Sequence, residues 1–400
     1  MVLAGAVFPA FPVRDLLTGQ SFAGARLERP LSYVLTAPLS NILDALTLLS
    51  LSQHAALIAT LMAVSGALLV ARGRSGRRSG IRSMAIAPCV TVALYAAAIA
   101  APRPMAALRL ANPSLISVDF HSHTNASHDA RTGFTAEANR EWHRLSGYDA
   151  AYISDHHSFR GVDAALSANP AVAGASTMLL PALEASYQEE HVIVLGSAHD
   201  AGTAPVRQWA GGQAPRDNGA GLVLTIPGSV RAFNHSHGRR AEVLGIELSD
   251  GSPRGLGEGD DKRDAIVALA TKLGASLLTG SDNHGWGRTA VAWSVMTIPG
   301  WRALSADSLD ARIRTSLRAS GTRAVRPLAR NRVSSASGAL PLAMTAPAVA
   351  WLMMRTLSWP ERLSWIAWCV AIALLSGALS RRRHRGTPVR LHVVRAGATG

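Results

Sequence analysis

The stretch Asp119-Phe120-His121-Ser122-His123-Thr124-Asn125-Ala126-Ser127-His128-Asp129 decides what this chain can fold into and do. It continues a short apolar run, residues 115–118, whose β-branched members predict a buried strand. His121 and His123 are two residues apart, and alternate residues of an extended strand point to the same face. Two imidazoles at one strand end can therefore reach one cation, with a third histidine and an aspartate close behind.

Four further apolar segments each have a histidine, an aspartate or a glutamate at one end. An isolated His-x-His is more often part of a polar loop than a metal site. Imidazole and carboxylate together, however, are the ligands that Zn, Mn and Fe take in proteins. Because such groups flank five strand-like segments, the sequence favours a metal site. The four are Asp155-His156-His157 after 150–153, Glu184 after 178–183, His191 before 192–195, and Asp282-Asn283-His284 after 276–279.

The central part of the chain alternates between strand-like and helical patterns. A helix is predicted over 134–146, with Thr135 as N-cap and Gly147 just past its end, and another over 261–273. Such alternation is typical of a parallel α/β architecture, and closed α/β barrels carry their active sites at the C-terminal ends of the strands. Most candidate ligands follow their strand, whereas His191 precedes its own. The predicted strands are 115–120, 150–154, 178–183, 191–196, 221–226, 242–248 and 275–280.

Both ends of the chain are apolar and predict membrane segments. We divide the chain into an N-terminal membrane region of two or three helices (1–110), a central domain (111–330), and a C-terminal membrane hairpin with a basic tail (331–400). A spanning helix needs about 20 residues. Residues 31–52 contain Asn41 and Asp44, so they form either a spanning helix or one lying along the membrane. The other candidate spans are 55–71, 83–101, 334–354 and 363–380.

The net charge of +14 comes almost wholly from arginine. Many arginines flank apolar segments, which fits membrane flanks, and no alternation of arginine with aromatic residues predicts a nucleic-acid surface. The chain is therefore expected to be a multi-pass membrane protein that does not bind nucleic acid. The positive-inside rule favours a cytoplasmic central domain, although the dense arginines of residues 72–82 favour the opposite orientation. Cys89 and Cys369 lie in apolar segments and do not fix the redox compartment.

The order His-x-His, Ser-Asp-His, Glu, His and Gly-Ser-Asp-x-His resembles the PHP (polymerase and histidinol phosphatase) family of metal-dependent phosphoesterases. The resemblance covers residues 115–290 and none of the apolar ends. Its most specific parts are His121 with His123 and the closing motif at 280–284. It implies a distorted (β/α)7-type barrel and a site for two or three divalent metal ions, Zn, Mn or Fe.

The resemblance implies a set of metal ligands. The pair His121 and His123 would bind one metal, and Glu184 and Asp282 would be shared or bridging carboxylates. A second metal would take His191, and a third His156 and His284. One position, His128, stands where many members have an aspartate or histidine ligand, and Asp129 is its alternative. The predicted metal ligands are His121, His123, His128, His156, Glu184, His191, Asp282 and His284.

Three residues are assigned to catalysis: Asp155, Asp282 and Arg288. Asp155 would ligate metal or orient a ligand, and Arg288, like Arg160, could hold a phosphate through two parallel hydrogen bonds. For both arginines the alternative is an ordinary surface charge. The sequence departs from the family where a histidine or cysteine usually follows the next strand. Ile226 stands there, so either fewer metals bind or a nearby histidine, His235 or His237, takes its place.

We therefore expect a membrane-anchored phosphoesterase acting on a small-molecule or lipid phosphate ester through metal-activated water. One alternative is a degenerate metal-binding or regulatory domain with little catalysis, which Ile226 suggests. Another is a metal-dependent hydrolase of a non-phosphate bond. The sequence names neither the substrate nor the metal.

Overall fold

The computed structural model describes residues 2–72, 77–187, 190–196, 221–225, 242–336 and 338–385. Within these residues ten strands form one curled, mixed sheet in the order β1-β12-β11-β4-β5-β6-β7-β8-β9-β10, and β2 pairs separately with β3. The strands are β1 Val13–Asp15, β2 Ala25–Glu28, β3 Ala107–Leu110, β4 Leu115–Ser122, β5 Ala150–Ile153, β6 Met178–Tyr187, β7 Glu190–Leu195, β8 Gly221–Leu224, β9 Glu242–Ser249, β10 Ser276–Thr279, β11 Ala292–Thr297 and β12 Val325–Arg330.

All seven strands predicted from the sequence are present, as β4 to β10. β4, β5 and β6 are parallel to one another, as are β8, β9 and β10. The exception is β7, which is antiparallel to both of its neighbours. The curl brings the last strand back towards the start of the sheet, because Thr279 N donates to Ser294 Oγ on β11 (2.8 Å) and Ser281 N donates to His121 O (3.1 Å). The architecture is thus mixed α/β with a curled, incompletely closed barrel.

β4 shows how the sheet separates its core from its site. Ile116, Val118 and Phe120 are fully buried in a hydrophobic cluster that includes Ile313 and Leu317 of the helix Ala306–Ser320. The alternate residues of an extended strand point to the opposite face. This places Asp119 and His121 on the face turned away from the helix Ala306–Ser320.

The helices that cover the sheet begin and end near the predicted residues. Ala136–Ser146 has Thr135 as its N-cap, and Gly147 adopts a φ of 84° after it, as predicted. The helix predicted over 261–273 begins eight residues earlier, at Pro253, with Ser252 as N-cap. Three glycines in its first two turns are poor helix formers and conceal its start in the sequence. The described helices have the bounds Val2–Val7, Leu31–Leu35, Ala37–Thr47, Leu51–Arg72, Arg77–Ala100, Ala136–Ser146, Arg160–Ser167, Pro253–Leu273, Ala306–Ser320, Ala339–Ala343, Thr345–Thr356 and Trp359–Arg385.

The prediction of a multi-pass membrane protein is not supported. Among the described residues one helical stretch, Trp359–Ala378, has the length and apolar composition needed to cross a membrane, and two shorter apolar stretches cover Leu51–Ala67 and Pro88–Ala100. The predicted span 31–52 is broken into short helices at Thr36 and Leu48, and the span 334–354 is broken at Met344. Breaks of this kind leave each piece well short of the bilayer thickness.

The N-terminal region also contributes to the sheet. β1 pairs with β12 at one edge, in register Val13 with Arg330. The pairing joins residues more than 300 positions apart, which local sequence patterns cannot indicate. The domain boundaries at 110 and 330 remain predictions.

Candidate metal centre

Chemistry-bearing side chains converge where the strands of the curled sheet end. His121 is the second-last residue of β4, and Glu184 lies in the second half of β6. His191 stands near the start of β7, and an antiparallel strand begins at the edge where its parallel neighbours end. The reversed direction of β7 therefore explains why this ligand precedes its strand. The loop after β10 brings Asp282 and His284 to the same place.

Glu184 is the carboxylate around which the cluster is arranged. Its Oε2 lies 3.0 Å from His121 Nε2, 3.2 Å from His123 Nε2 and 3.5 Å from His156 Nδ1. Its Oε1 lies 2.5 Å from His191 Nδ1. One buried carboxylate thus contacts four imidazoles, an arrangement suited to a ligand shared between cations.

His121 is held on both ring nitrogens. Its Nδ1 lies 3.1 Å from Oε1 of Glu247, a fully buried carboxylate near the end of β9. Its Nε2 faces Glu184 and lies 3.4 Å from Asp282 Oδ1. A carboxylate on the far nitrogen fixes which nitrogen of a ligating histidine is free to bind. Glu247 is therefore positioned to aim His121 Nε2 at the cluster.

Asp155 does not face the cluster. Its Oδ1 accepts hydrogen bonds from Thr124 N (2.6 Å) and Ser127 Oγ (3.2 Å), and its Oδ2 accepts one from Thr124 Oγ1 (2.7 Å). Ser127 Oγ in turn lies 3.0 Å from His123 Nδ1. Of the two predicted roles, ligating metal or orienting a ligand, this geometry fits the second.

The outer wall of the cluster is formed by His156, His284 and Asp129. The rings of His123 and His284 stack at a centroid distance of 3.9 Å, and those of His123 and His156 at 4.8 Å. Asp129 bridges the two outer rings, 3.5 Å from His156 Nε2 and 3.3 Å from His284 Nε2. His128 is exposed and contacts the cluster only through its ring, 5.3 Å from that of His156, so among the described residues Asp129 is closer to the role predicted for position 128.

The loop after β10 is bent to bring its carboxylate inward. Asp282 has a φ of 47°, a left-handed conformation that is uncommon for residues other than glycine. Its backbone N–H donates to His121 O (2.9 Å), which ties the bend to the end of β4. Asn283 Oδ1 accepts from the N–H groups of Gly285 and Gly287 and holds the rest of the loop.

The charges of the cluster stabilise one another. Burial disfavours the imidazolium of His121, but Glu247, Glu184 and Asp282 outweigh burial and raise its pKa well above the ordinary value. The same opposition raises the pKa of His123 to about 9. Burial also opposes ionisation of Glu184, yet the neighbouring histidines hold its pKa well below the ordinary range. Positive charge is therefore favoured where this carboxylate meets the imidazoles, and protons or metal ions can supply it.

The donor set fits divalent metal ions. Three overlapping groups each offer three ligand atoms within 4.8 Å of one another. The Nε2 atoms of His123 and His284 are buried and lie 3.2 Å and 3.3 Å from carboxylate oxygens of Glu184 and Asp129 without forming a hydrogen bond, which leaves both nitrogens open to a metal ion. The groups are His121, His123, Glu184; His123, His156, His284; and His156, Glu184, His191.

The cluster opens into a cleft of about 390 Å³. Asp250, Ser252, Arg254 and Gly255 also line it, so the first turn of the helix Pro253–Leu273 borders the cleft. Arg288, predicted to hold a phosphate, lines a different cavity, and the exposed Arg160 is not among the residues that line the cleft. Ile226, His235 and His237 lie outside the described residues.

Sequence reasoning missed Glu247, Asp250 and Arg254. Glu247 and Asp250 stand at the end of the predicted strand 242–248, in the same position relative to their strand as Glu184 and Asp282. The signal that identified the other carboxylates was therefore present. The resemblance supplied no ligand at this strand, so these residues were passed over.

Comparisons with known proteins place this chain only at a distance. No family model and no curated protein matches it. Among solved structures, PsfC from Pseudomonas syringae is 14% identical, with 61% of this chain and 99% of that chain covered and a TM-score of 0.36. The lesion-specific endonuclease PfuEndoQ from Pyrococcus furiosus is 13% identical, covering 53% and 57% with a TM-score of 0.38.

A third solved structure is a two-domain protein from Bacteroides vulgatus, described as containing a predicted PHP-like metal-dependent phosphoesterase. It is 14% identical, covering 50% of this chain and 63% of that chain, with a TM-score of 0.30. Identities and scores at this level do not indicate what this chain does.

Proposed function

We propose that this chain is a metal-dependent phosphoesterase that binds two or three divalent ions at the Glu184 cluster. The observation that carries the proposal is the contact of one buried carboxylate with four imidazoles, beside two buried imidazole nitrogens without a hydrogen-bond partner. Zn, Mn and Fe all accept this ligand set. Bound ions would lower the pKa of water and stabilise the charge that develops on a phosphate ester.

The chain's own residues would hold the metal ions and orient the histidine nitrogens that bind them. Glu184 would be shared between ions and so fix their separation, with Asp282 beside His121 and His123 as a second carboxylate. Ser127, held by Asp155, would steady His123, as Glu247 steadies His121. These supports hold the ligating nitrogens before an ion arrives, which raises affinity and geometric selectivity.

A phosphate ester suits the cleft better than a neutral amide. The first turn of the helix Pro253–Leu273 lines the cleft, and helix N-termini attract anions. Arg254 projects from that turn with its side chain 78% exposed, 2.6 Å from Glu258. An exposed ion pair of this kind is weak, so the guanidinium can exchange its partner for a phosphate.

We also propose that the helix Trp359–Arg385 attaches the enzyme to a membrane. Its apolar stretch exposes large side chains, among them Val370, Ile372, Leu374 and Leu375, and only 11% of the stretch is buried within the chain. Residues 381–385 follow with four arginines and one histidine. If this helix spans the bilayer once, residues 381–385 lie on the side opposite the catalytic domain, and the positive-inside rule assigns the cytoplasm to the side that carries more arginine near the membrane. The substrate would then be a small-molecule or lipid phosphate ester.

The test compares metal content and hydrolysis in the full chain and its variants. We expect His121→Ala/His123→Ala to lose bound metal and phosphoester hydrolysis, and Asp282→Asn to lose most of the hydrolysis. The control is His54→Ala, at a histidine whose ring contacts Tyr95 and no member of the cluster, and it should keep the metal content and the hydrolysis of the native chain. Chelation should abolish hydrolysis, and Zn, Mn or Fe should restore it.

Three outcomes would contradict the proposal. Hydrolysis that survives both variants would place the reaction elsewhere. Bound metal without turnover of any phosphomonoester or diester would favour the degenerate binding domain. Faster turnover of amide substrates than of phosphate esters would favour a hydrolase of a non-phosphate bond.

A further inference from the structure

A second cavity, of about 400 Å³, lies beside the metal cleft and shares no lining residue with it. The loop after β10 separates the two, because its Asp282 and His284 line the cleft whereas Gly285, Gly287 and Arg288 line the cavity. The remaining walls are largely apolar and include Phe134, Trp142, Met105 and Leu145. The cavity thus combines an apolar surface with arginine side chains.

The positive charge of Arg288 has no counterpart in the cavity. Arg288 makes no hydrogen bond and no ion pair with any described residue, and its Nε is buried without a partner. Burial, together with Arg131 and Arg103, lowers the pKa of Arg288. A buried guanidinium nitrogen without a partner is unfavourable, and it stays unfavourable until an acceptor reaches it.

The charges around Arg288 do not compensate it. Arg131 donates to Gly285 O (3.3 Å) and lies over the Trp286 ring, and its guanidinium has no carboxylate partner among the described residues. Arg103 is engaged with Asp44 (2.9 Å). Glu141, the one acidic residue among those that line the cavity, forms two 2.7 Å hydrogen bonds with Arg144. The cavity therefore keeps an excess of positive charge beside apolar walls.

We propose that this cavity binds an amphiphilic anion, with a phosphate or carboxylate head held by Arg288 and Arg131 and an apolar portion packed on Phe134, Trp142 and Leu145. A guanidinium matches either head group through parallel hydrogen bonds. Burial of alkyl groups against the apolar walls would add to the affinity. The site stands independently of the proposed phosphoesterase activity.

The place of the cavity in the fold bears on the source of the ligand. Pro102 and Arg103 line it and directly follow the helix Arg77–Ala100, whose last half is the apolar stretch Pro88–Ala100. An anionic lipid and a soluble acyl or alkyl phosphate share the chemistry that the cavity would recognise. The experiment must therefore separate these two sources.

The test is calorimetric titration of the full chain in non-ionic detergent with hexylphosphonate, which carries no ester bond to hydrolyse. We expect hexylphosphonate to bind at least tenfold more tightly than inorganic phosphate. Arg288→Gln and Arg131→Gln should each weaken binding about tenfold or more, because a charge-assisted bond is lost. Arg312→Gln, on the exposed face of the helix Ala306–Ser320, is the matched control and should change nothing.

Two further variants keep the test decisive. Leu145 is 43% exposed, so Leu145→Ser should leave the fold intact, weaken hexylphosphonate and leave inorganic phosphate unchanged. His121→Ala/His123→Ala removes the metal cleft as a second site for a phosphonate, and it should keep the hexylphosphonate site that depends on Arg288. Unchanged binding in Arg288→Gln, loss of binding in the histidine variant, or equal affinities for phosphate and hexylphosphonate would each overturn the proposal.

Flotation with lipid vesicles distinguishes a lipid ligand from a soluble ligand of the same chemistry. We expect the native chain and Arg288→Gln to float equally with phosphatidylcholine vesicles. If phosphatidic acid in those vesicles raises the bound fraction of the native chain but not of Arg288→Gln, the ligand is a lipid. Equal bound fractions, with hexylphosphonate binding still dependent on Arg288, identify a soluble ligand of the same chemistry.

Discussion

At the scale of single residues, the orientation of His121 depends on a carboxylate outside the predicted ligand set. Glu247 is fully buried and lies 3.1 Å from His121 Nδ1 on the side away from Glu184. The second nitrogen of a ligating histidine sets both the tautomer and the basicity of the first. The affinity of the cluster for metal should therefore depend on Glu247 even though it is not one of the predicted ligands.

We predict that Glu247→Gln lowers metal affinity by about 10- to 100-fold, because the amide no longer stabilises the ligating form of His121. The measurement is competition with a chromophoric chelator. Glu258→Gln is the matched control, since it also removes a carboxylate that lines the cleft, but within the described part of the chain Glu258 pairs with Arg254 and Lys262 and with no histidine. Equal affinities in the two variants would remove Glu247 from the metal centre.

A second residue gives the fold a pH dependence away from the site. Burial raises the pKa of Asp149 to about 6, although Ser117 N donates to its Oδ2 (2.9 Å). In an unfolded chain an aspartate titrates near 3.9. The protonated form is thus favoured in the folded state, so its contribution to stability is complete below about pH 4 and is lost as pH rises through 6.

We predict that Asp149→Asn removes this loss, since its amide does not titrate. The free energy of unfolding of the variant, relative to the native chain, should rise by about 2 to 3 kcal/mol between pH 4 and pH 7. Urea denaturation in the presence of chelator at several pH values measures it. Asp261→Asn, an exposed position in the helix Pro253–Leu273, should show no such trend. A flat difference for Asp149→Asn would mean that its carboxyl ionises freely in the folded chain.

Sequence reasoning found the side chains that carry the chemistry better than it found their roles. The predicted ligands were identified by their positions at strand ends, and they meet in space because those strand ends lie together. They are His121, His123, Glu184, His191, Asp282 and His284. Arg288 was placed in the same site because it follows His284 closely along the chain. The three residues 285–287, two of them glycines, separate Arg288 from His284, and its side chain lines a different cavity. No local sequence pattern predicts this change of direction.

At the scale of elements, the site depends on close approach of the loop after β10 to β4 and β9. A Cβ added at Gly280 would lie 2.3 Å from Glu247 Oε1 and 2.5 Å from His121 Cβ. Contacts this short cannot form without displacing a neighbour. Glycine is therefore required at this position by the packing of His121 against its orienting carboxylate.

We predict that Gly280→Ala lowers metal affinity by at least tenfold and destabilises the fold by about 1 to 3 kcal/mol, as overpacking of a core does. Metal content after dialysis and urea denaturation measure the two effects. Gly133→Ala is the control, because an added Cβ there meets nothing within 4 Å. If the two alanine variants retain equal metal, the loop has more freedom than its contacts indicate.

The strands that the sequence predicted and those that it missed differ in how they pair. β4 to β10 carry continuous apolar runs, which local periodicity detects. β1, β11 and β12 join the sheet through antiparallel pairings set by distant residues, and β1 is only three residues long. Their formation depends on the edge that the rest of the sheet presents, so it cannot be read from the local sequence.

At the scale of the whole molecule, a buried ion network joins the N-terminal helices to the sheet. Asp44 Oδ2 lies 2.6 Å from Nη1 of Arg330 on β12, and its Oδ1 lies 2.9 Å from Arg103 Nε. Tyr33 OH donates to the same carboxylate at 2.9 Å. In the sequence Asp44 looked like a polar interruption of an apolar segment, whereas its function in the fold is to neutralise two buried cations.

The last prediction follows from that network. Asp44→Asn leaves Arg330 and Arg103 buried without a counterion, and removing one partner of a buried pair costs about 3 to 5 kcal/mol. Glu28→Gln is the control, because its pair with Arg109 also joins separate strands but is more than half exposed and should contribute about 1 kcal/mol or less. Urea denaturation in detergent compares the two with the native chain.

A fragment of residues 105–335 lacks Asp44 and β1 as well, so it should be less stable than Asp44→Asn. A fragment as stable as the full chain would show instead that the sheet holds Arg330 without help, and that the N-terminal helices are an attachment rather than part of the fold.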